Sequence, residues 1–203
     1  MTGRRLHVRE RGSHNAPMPQ SLRNHFLIAM PGLEDANFAH SITFLCDHDA
    51  QGAMGLVVSR PLDLSHDEIF DHLDFTDFPR GHTQPVLFGG PVQTDRGFVL
   101  HRREPGQKWQ SSLELGEELS LTTSRDILEA MAHDRGPRDA LVALGYAGWG
   151  PGQLEREIAD NAWLTLPAES WILFDVPPER RAHAAAARLG INLDLLSSAR
   201  GTA

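Results

Sequence analysis

The segment 140–146 (ALVALGY) constrains this chain more than any other, because it offers apolar side chains to both faces of a strand. A strand with one wet face alternates apolar and polar residues. A run without that alternation has to be covered on both sides, and so belongs at the centre of a sheet. Other strand-length runs surround it. Residues 25–30 (HFLIAM) stop at Pro31-Gly32. In 41–48, Ile42, Phe44 and Cys46 face one way and Thr43, Leu45 and Asp47 the other. Gln51-Gly52 turns that run into 53–59, its expected hairpin partner, which Pro61 ends because proline cannot donate to a ladder. Pro85–Phe88 and 97–102 read as strands joined by a Gly89-Gly90-Pro91 turn, residues 103–112 as an exposed connection, and Leu119–Thr122, 163–166 and 171–174 as further strands.

Helices interrupt this series. Ser65 and Glu68 form a capping box, in which each side chain satisfies the other's backbone N–H, and the helix behind it should bury Ile69, Phe70 and Leu73. Ser124 opens a helix over 124–134 that buries Ile127, Leu128 and Met131 and stops at Gly136-Pro137. The turn Gly148-Trp149-Gly150-Pro151-Gly152 leads into a helix over 153–161, and Pro178 and Gly190 bracket a last one. The mixture is α/β of the α+β kind, with too many hairpin-like neighbours for a doubly wound sheet.

At 203 residues the chain suits a single domain, and 40% apolar with 23% charged residues excludes wholesale disorder. No apolar run approaches the ~18 residues of a membrane span, so no membrane association is expected and the location expected is cytoplasmic. The single cysteine excludes an intramolecular disulfide and the cysteine-rich zinc sites. Of the net charge of −8, residues 1–23 carry +4 (Arg4, Arg5, Arg9, Arg11 and Arg23 against Glu10), which leaves −12 on the rest. An acidic body repels phosphate backbones and argues against direct nucleic-acid binding by the domain. Residues 1–21 read as a flexible arginine-rich tail and 22–203 as the domain.

The residues with chemistry to offer are few. Cys46 and His48 share a strand face, but with Ile42 and Phe44, so a core thiol is expected rather than a nucleophile. His66, Asp67, Glu68, Asp71 and His72 crowd one short helix, where acids in the first turn are favoured by the helix dipole without any metal, and no metal site is assigned. The turn 148–152 opens a helix N-terminus that could attract an anion, yet it contains no Lys or Arg and Glu155 and Glu157 follow it, so an ordinary turn is the better reading. Gln153, Glu157 and Asn161 form a stripe that either lines a groove rimmed by Trp149 or, as the better reading, is the solvated edge of the helix. GxSxG, HExxH, phosphate-loop and helix-turn-helix signatures are absent from the sequence.

Taken in order, AMPGLEDANFAHSITFLCDHDAQGAMGLVVSRP (29–61), PVLFGGPVQTDRGFVLHR (85–102) and ALGYAGWGPGQLEREIADNAWL (143–164) resemble the YqgE/AlgH family of bacterial proteins. The closing LFDVPPERRAHAAAARLGINLDLLS (173–197) is similar to that family's C-terminal segment, so the likeness spans 22–203. Ser59, Ala182 and Thr202 stand where the family pattern usually has Asn, Trp and His. The resemblance implies a single domain with a bifurcated, mainly antiparallel sheet forming a pseudo-barrel, flanked by helices. Some members carry the label of transcriptional regulator, but no reaction, cofactor or metal comes with the likeness.

The first expectation is therefore a non-enzymatic regulatory or adaptor protein with a protein or small-molecule partner. Its candidate surface is Gly148, Trp149, Gln153, Glu157 and Asn161, together with Arg60, Arg96 and His101, which sit inside the resembling blocks. By alternation His101 points away from Phe98 and Leu100, toward the surface. The alternatives are an enzyme or sensor for a small anionic or phosphorylated metabolite at the helix N-terminus, and a transcriptional regulator contacting DNA through the arginine tail.

Overall fold

The computed structural model describes residues 21–198, so the tail expected over 1–21 lies outside the described residues but for Ser21, as does Thr202. In chain order the elements are β1 (His25–Ala29), β2 (Ile42–Asp49), β3 (Gly52–Val57), β4 (Pro61–Ser65), α1 (His66–His72), β5 (Pro85–Phe88), β6 (Val92–Arg102), β7 (Ser112–Leu115), β8 (Leu119–Thr122), α2 (Arg125–Ala132), β9 (Ala140–Trp149), α3 (Gln153–Ala159), β10 (Trp163–Pro167), α4 (Ser170–Phe174), α5 (Arg181–Arg188) and α6 (Leu193–Ser198). A 3-10 turn, Pro178–Arg180, precedes α5.

The apolar run 140–146 lies in β9, at the centre of the sheet. The strand order is β10-β1-β2-β3-β9-β6-β8-β7. β9 pairs antiparallel with β6 along one edge, and on the other is shared between β3, at Ala147–Trp149, and β5, which runs parallel beside Ala143 and Leu144. The sheet forks there and curls into a half-barrel. Both faces are covered, as the composition of β9 requires. The main core fills the concave side beneath α4 and α5, with Phe26, Phe44, Leu56 and Leu100 fully buried or nearly so. On the opposite side Leu45, Trp149, Leu154 and Trp163 pack under α3, while α1 and α2 cover Val86, Val99 and Val142.

Backbone contact explains the glycines at the fork. The Gly89 N–H donates to Leu144 O and the Gly89 carbonyl accepts from Val57 N–H, both at 2.8 Å, so one residue stitches β3 to β9. A Cβ on Gly89 would lie 2.2 Å from the Gly145 carbonyl oxygen, and one on Gly145, at φ +74°, 2.3 Å from that of Gly90. Gly89-Gly90-Pro91 joins β5 to β6 as expected, with Gly90 at positive φ, and because both strands pair with β9 and not with each other the turn crosses the β9 backbone.

Other expectations need correction. Residues 171–174 are helical, within α4, where Ile172 and Leu173 are buried in the main core. Pro61 begins β4 instead of only ending a strand, a position where its missing N–H costs nothing. β7 starts inside the connection read as exposed, and α6 follows Gly190. The Ser65–Glu68 capping box forms as read. Among the described residues no helix is long and apolar enough to cross a membrane.

Gly145→Ala should destabilise the fold by about 3 kcal/mol or more, combining a left-handed backbone with a backbone clash. Gly190→Ala, also at positive φ but with nothing within 4 Å of the added carbon, should cost only about 1–2 kcal/mol. Urea unfolding of the two variants checks the difference.

Candidate functional site

The residues at the start of α3 are held tightly, and by one another. Trp149 ends β9 and Trp163 begins β10, and both indole N–H groups donate to Glu157 Oε2 at 2.9 Å. Glu157 Oε1 accepts from Gln153 Nε2 at 2.9 Å, and Gln153 Oε1 accepts from the Gly150 N–H at 3.0 Å. Phe38 lies against both indoles, with ring centroids 5.9 and 5.6 Å away. Trp149 is only 6% exposed, so it is a core side chain and not a rim. Gln153 and Glu157 are half-buried, with their polar atoms bonded to one another, to the indoles and to the Gly150 N–H. Asn161 sits exposed in the left-handed region (φ 57°) just past the helix, and Gly148 is exposed in β9 opposite Met54.

The cysteine and histidines nearby are equally committed. Cys46 is fully buried and burial pushes its thiol up to about 12, which leaves no thiolate at neutral pH. His48 Nδ1 accepts from the Leu22 N–H at 2.8 Å, so Nε2 carries the proton that it donates to Glu155 at 2.9 Å. That pair anchors the start of the described chain to α3. His101 does point away from Phe98 and Leu100, but it is buried (4% exposed), because the second face of β6 is also covered. It lines a cavity of about 380 Å³ together with the segment containing Lys108 and Trp109. Its Nε2 lies 2.9 Å from Thr122 Oγ1 and its Nδ1 3.1 Å from Arg102 O, while burial lowers its pKa. Alternation identifies the face of a residue but says nothing about what covers that face.

Arg60 donates to the carbonyls of Ala36 (2.7 Å) and Ala39 (2.6 Å), tying the segment between β1 and β2 to β4. The acidic cluster on α1 is consumed as well. Glu68 closes the cap with Ser65, Asp71 makes two 2.7 Å bonds to Arg80, and Asp67 accepts from Gly81 N–H (2.8 Å) and His82. His82 also contacts Asp134 at 3.1 Å. Among the described residues no group of three or more His, Cys, Asp or Glu is placed to hold a metal ion.

Arg96 is the exception. β6 pairs Val92 with Tyr146 and then Gly97 with Leu144, so residues 93–96 bulge out of the ladder and carry the exposed Arg96 with them. Its guanidinium lies 5.4 Å over the Phe98 ring, with one 3.3 Å bond to Gln93 Oε1. It stands at the lip of an open trough of about 600 Å³ on the concave side of the sheet. Phe98 and Leu121 belong to the main core, Met54 and Tyr146 pack against it, and Leu113 at the far lip is 42% exposed. Of these five, Phe98 lies under the anticipated Arg96 and Met54 pairs with the anticipated Gly148. Leu113 lies in the short alternating run 112–115 that forms β7, and no local pattern marks Met54 or Tyr146 as neighbours of Arg96.

A family profile described as AlgH-like (DUF179) matches residues 26–194. A UPF0301 protein of Thioalkalivibrio sulfidiphilus is 59% identical over 180 residues, covering 89% of this chain and 96% of its own length. The UPF0301 protein AlgH of Pseudomonas aeruginosa is 54% identical over 187 residues, or 91% of this chain and 97% of the relative. The solution structure of AlgH from P. aeruginosa superposes with a TM-score of 0.74, covering 88% of this chain and 94% of the other. The crystal structure of protein DIP2367 from Corynebacterium diphtheriae, 20% identical, reaches 0.67 over 90% of this chain and 93% of its own, which is a likeness of fold.

Glu157→Gln should cost about 2 kcal/mol, because the amide turns an N–H₂ toward groups that need an acceptor. Near-ultraviolet circular dichroism of Trp149 and Trp163 should change with it, and Gln153→Ala should cost only about 1 kcal/mol in the same unfolding assay. Backbone N–H donation from Gly81, with help from His82, holds the Asp67 carboxyl below the usual range. Such a group stabilises the fold at neutral pH and loses that effect as pH falls through its ordinary and then its folded-state value. The protection factors of amides in α1 and residues 81–84, with the intrinsic exchange rate divided out at each pH, should therefore fall on acidification below about pH 4, and Asp67→Asn should flatten that dependence.

Proposed function

We propose that this chain, which belongs to the AlgH-like family, is a non-enzymatic regulatory or adaptor protein that holds a partner in the trough beside Arg96. The observation that carries this reading is the contrast between the trough and most of the other candidates. Trp149, Gln153, Glu157, Arg60 and His101 spend their polar groups on the fold itself, whereas Arg96 stands exposed over an apolar floor that the helices leave open. The buried, protonated Cys46 and the fully engaged His48 support a binding role over a catalytic one. The −12 carried by residues 24–203 favours a route to regulation through a protein or small ligand over direct reading of DNA.

Immobilised chain incubated with lysate of its own cells should retain a partner. Arg96→Glu and Leu113→Asp, both at exposed positions, should each weaken retention at least about tenfold without shifting the thermal midpoint by more than a few degrees. Retention that is equal in the parent chain and both variants would refute the trough as the site.

A further inference from the structure

We infer that the trough takes an amphipathic monoanion: a carboxylate set on Arg96, with an unbranched apolar tail laid across Phe98, Tyr146, Leu121 and Met54. This rests on the reading of the trough as the binding site and adds the chemical class of its occupant. Arg96 is the only side chain with a formal charge at neutral pH among those lining the trough. Four arginines of the described region are paired with carboxylates, Arg80 with Asp71, Arg102 with Asp139, Arg103 with Glu114 and Arg188 with Glu169; Arg96 belongs to the unpaired remainder and is the one that lines the trough. No carboxylate among the described residues lies within ion-pair distance of Arg96. On an acidic body, a guanidinium kept clear of carboxylates at the lip of an apolar trough complements one negative charge.

The arithmetic of binding then calls for the tail. A single exposed guanidinium–carboxylate pair improves affinity by no more than about fivefold, too little to hold a small acid such as acetate. Each methylene buried on the apolar floor tightens binding by about fourfold, so the chain and not the head supplies most of the affinity. A volume near 600 Å³ is of the size that holds a medium-length chain. The competing occupants fit less well. A nucleotide brings several phosphate charges to a site with one cation. An extended peptide adding to the edge of β7 would need its outward carbonyls, and the Glu114 carbonyl already accepts from the Arg23 guanidinium.

Tyr146 is the only tyrosine in the chain, so tyrosine-selective isotope labelling gives one ring signal that reports on the trough alone. The full chain would be titrated below the micellar range with octanoate, decanoate, decan-1-ol and acetate. Decanoate should shift the Tyr146 signal saturably and bind about fifteenfold tighter than octanoate, from the two added methylenes. Acetate should leave the signal in place. Arg96→Gln, checked for an unchanged thermal midpoint, should weaken decanoate by about fivefold and leave decan-1-ol unaffected. An unmoved signal overturns the inference, and so does decanoate binding that Arg96→Gln leaves unchanged, because that is apolar adhesion without head-group recognition. A signal that responds to dilution or to removal of residues 1–20, and not to decanoate, would assign the trough to a second copy or to the chain's own segment. Lysate retention that depends on Arg96 while decanoate fails to bind would leave the adaptor reading intact and remove only the ligand class.

Discussion

The close approach of Gly89 and Gly90 to Gly145 is the constraint on which the rest of the fold depends. Two backbones can come within Cβ distance only where neither carries a Cβ, and here that approach lets β9 serve three strands along two edges. Gly89 hydrogen-bonds to both β3 and β9, so the ladder is not interrupted where the sheet divides. A side chain at any of these positions would force the fork open. β3 and β5 would then compete for one edge of β9, and the concave surface that encloses the main core would lose its curvature.

The same fork positions the trough. Tyr146 follows Gly145 and pairs with Val92, after which β6 bulges through residues 93–96 before rejoining the ladder at Gly97. That bulge lifts Arg96 out of the sheet while Phe98, two residues on, stays in the core, 5.7 Å from the Tyr146 ring. The charged lip and the apolar floor are thus products of one irregularity in strand pairing. α4 and α5 cover the rest of the concave face, and the trough is where that cover ends.

What could be read from the residues divides along a physical line. Local chemistry was legible: the Ser65–Glu68 cap, the double coverage of 140–146, the hairpin of β2 with β3 and the burial of Cys46 follow from side chains within a few positions of one another. The AlgH-like fold was legible through the order of the resembling blocks. Distant pairing was not. The segment 171–174 is four residues long, too short for its periodicity to separate a strand from a helical turn, and packing decided it. His101 was placed on the right face, but the cover over that face comes from residues 103–109, which show no apolar pattern of their own.

The stripe on α3 shows why polar periodicity alone is a poor guide to a binding site. A carboxylate and an amide four residues apart look alike whether they face a ligand, water or the ends of neighbouring strands. Here Glu157 faces two indole N–H groups, from strands on either side of the helix in sequence, that would otherwise be buried without an acceptor. The requirement to satisfy those donors accounts for the Trp149, Gln153 and Glu157 combination without any ligand. It also removes the physical reason for placing a partner there. Arg96 presents the opposite case, a charge that the fold neither pairs nor buries, set beside apolar surface that the fold does not cover. An exposed charge without a carboxylate partner, set beside open apolar surface, is stronger evidence for a binding site than groups whose polar atoms are spent on the fold.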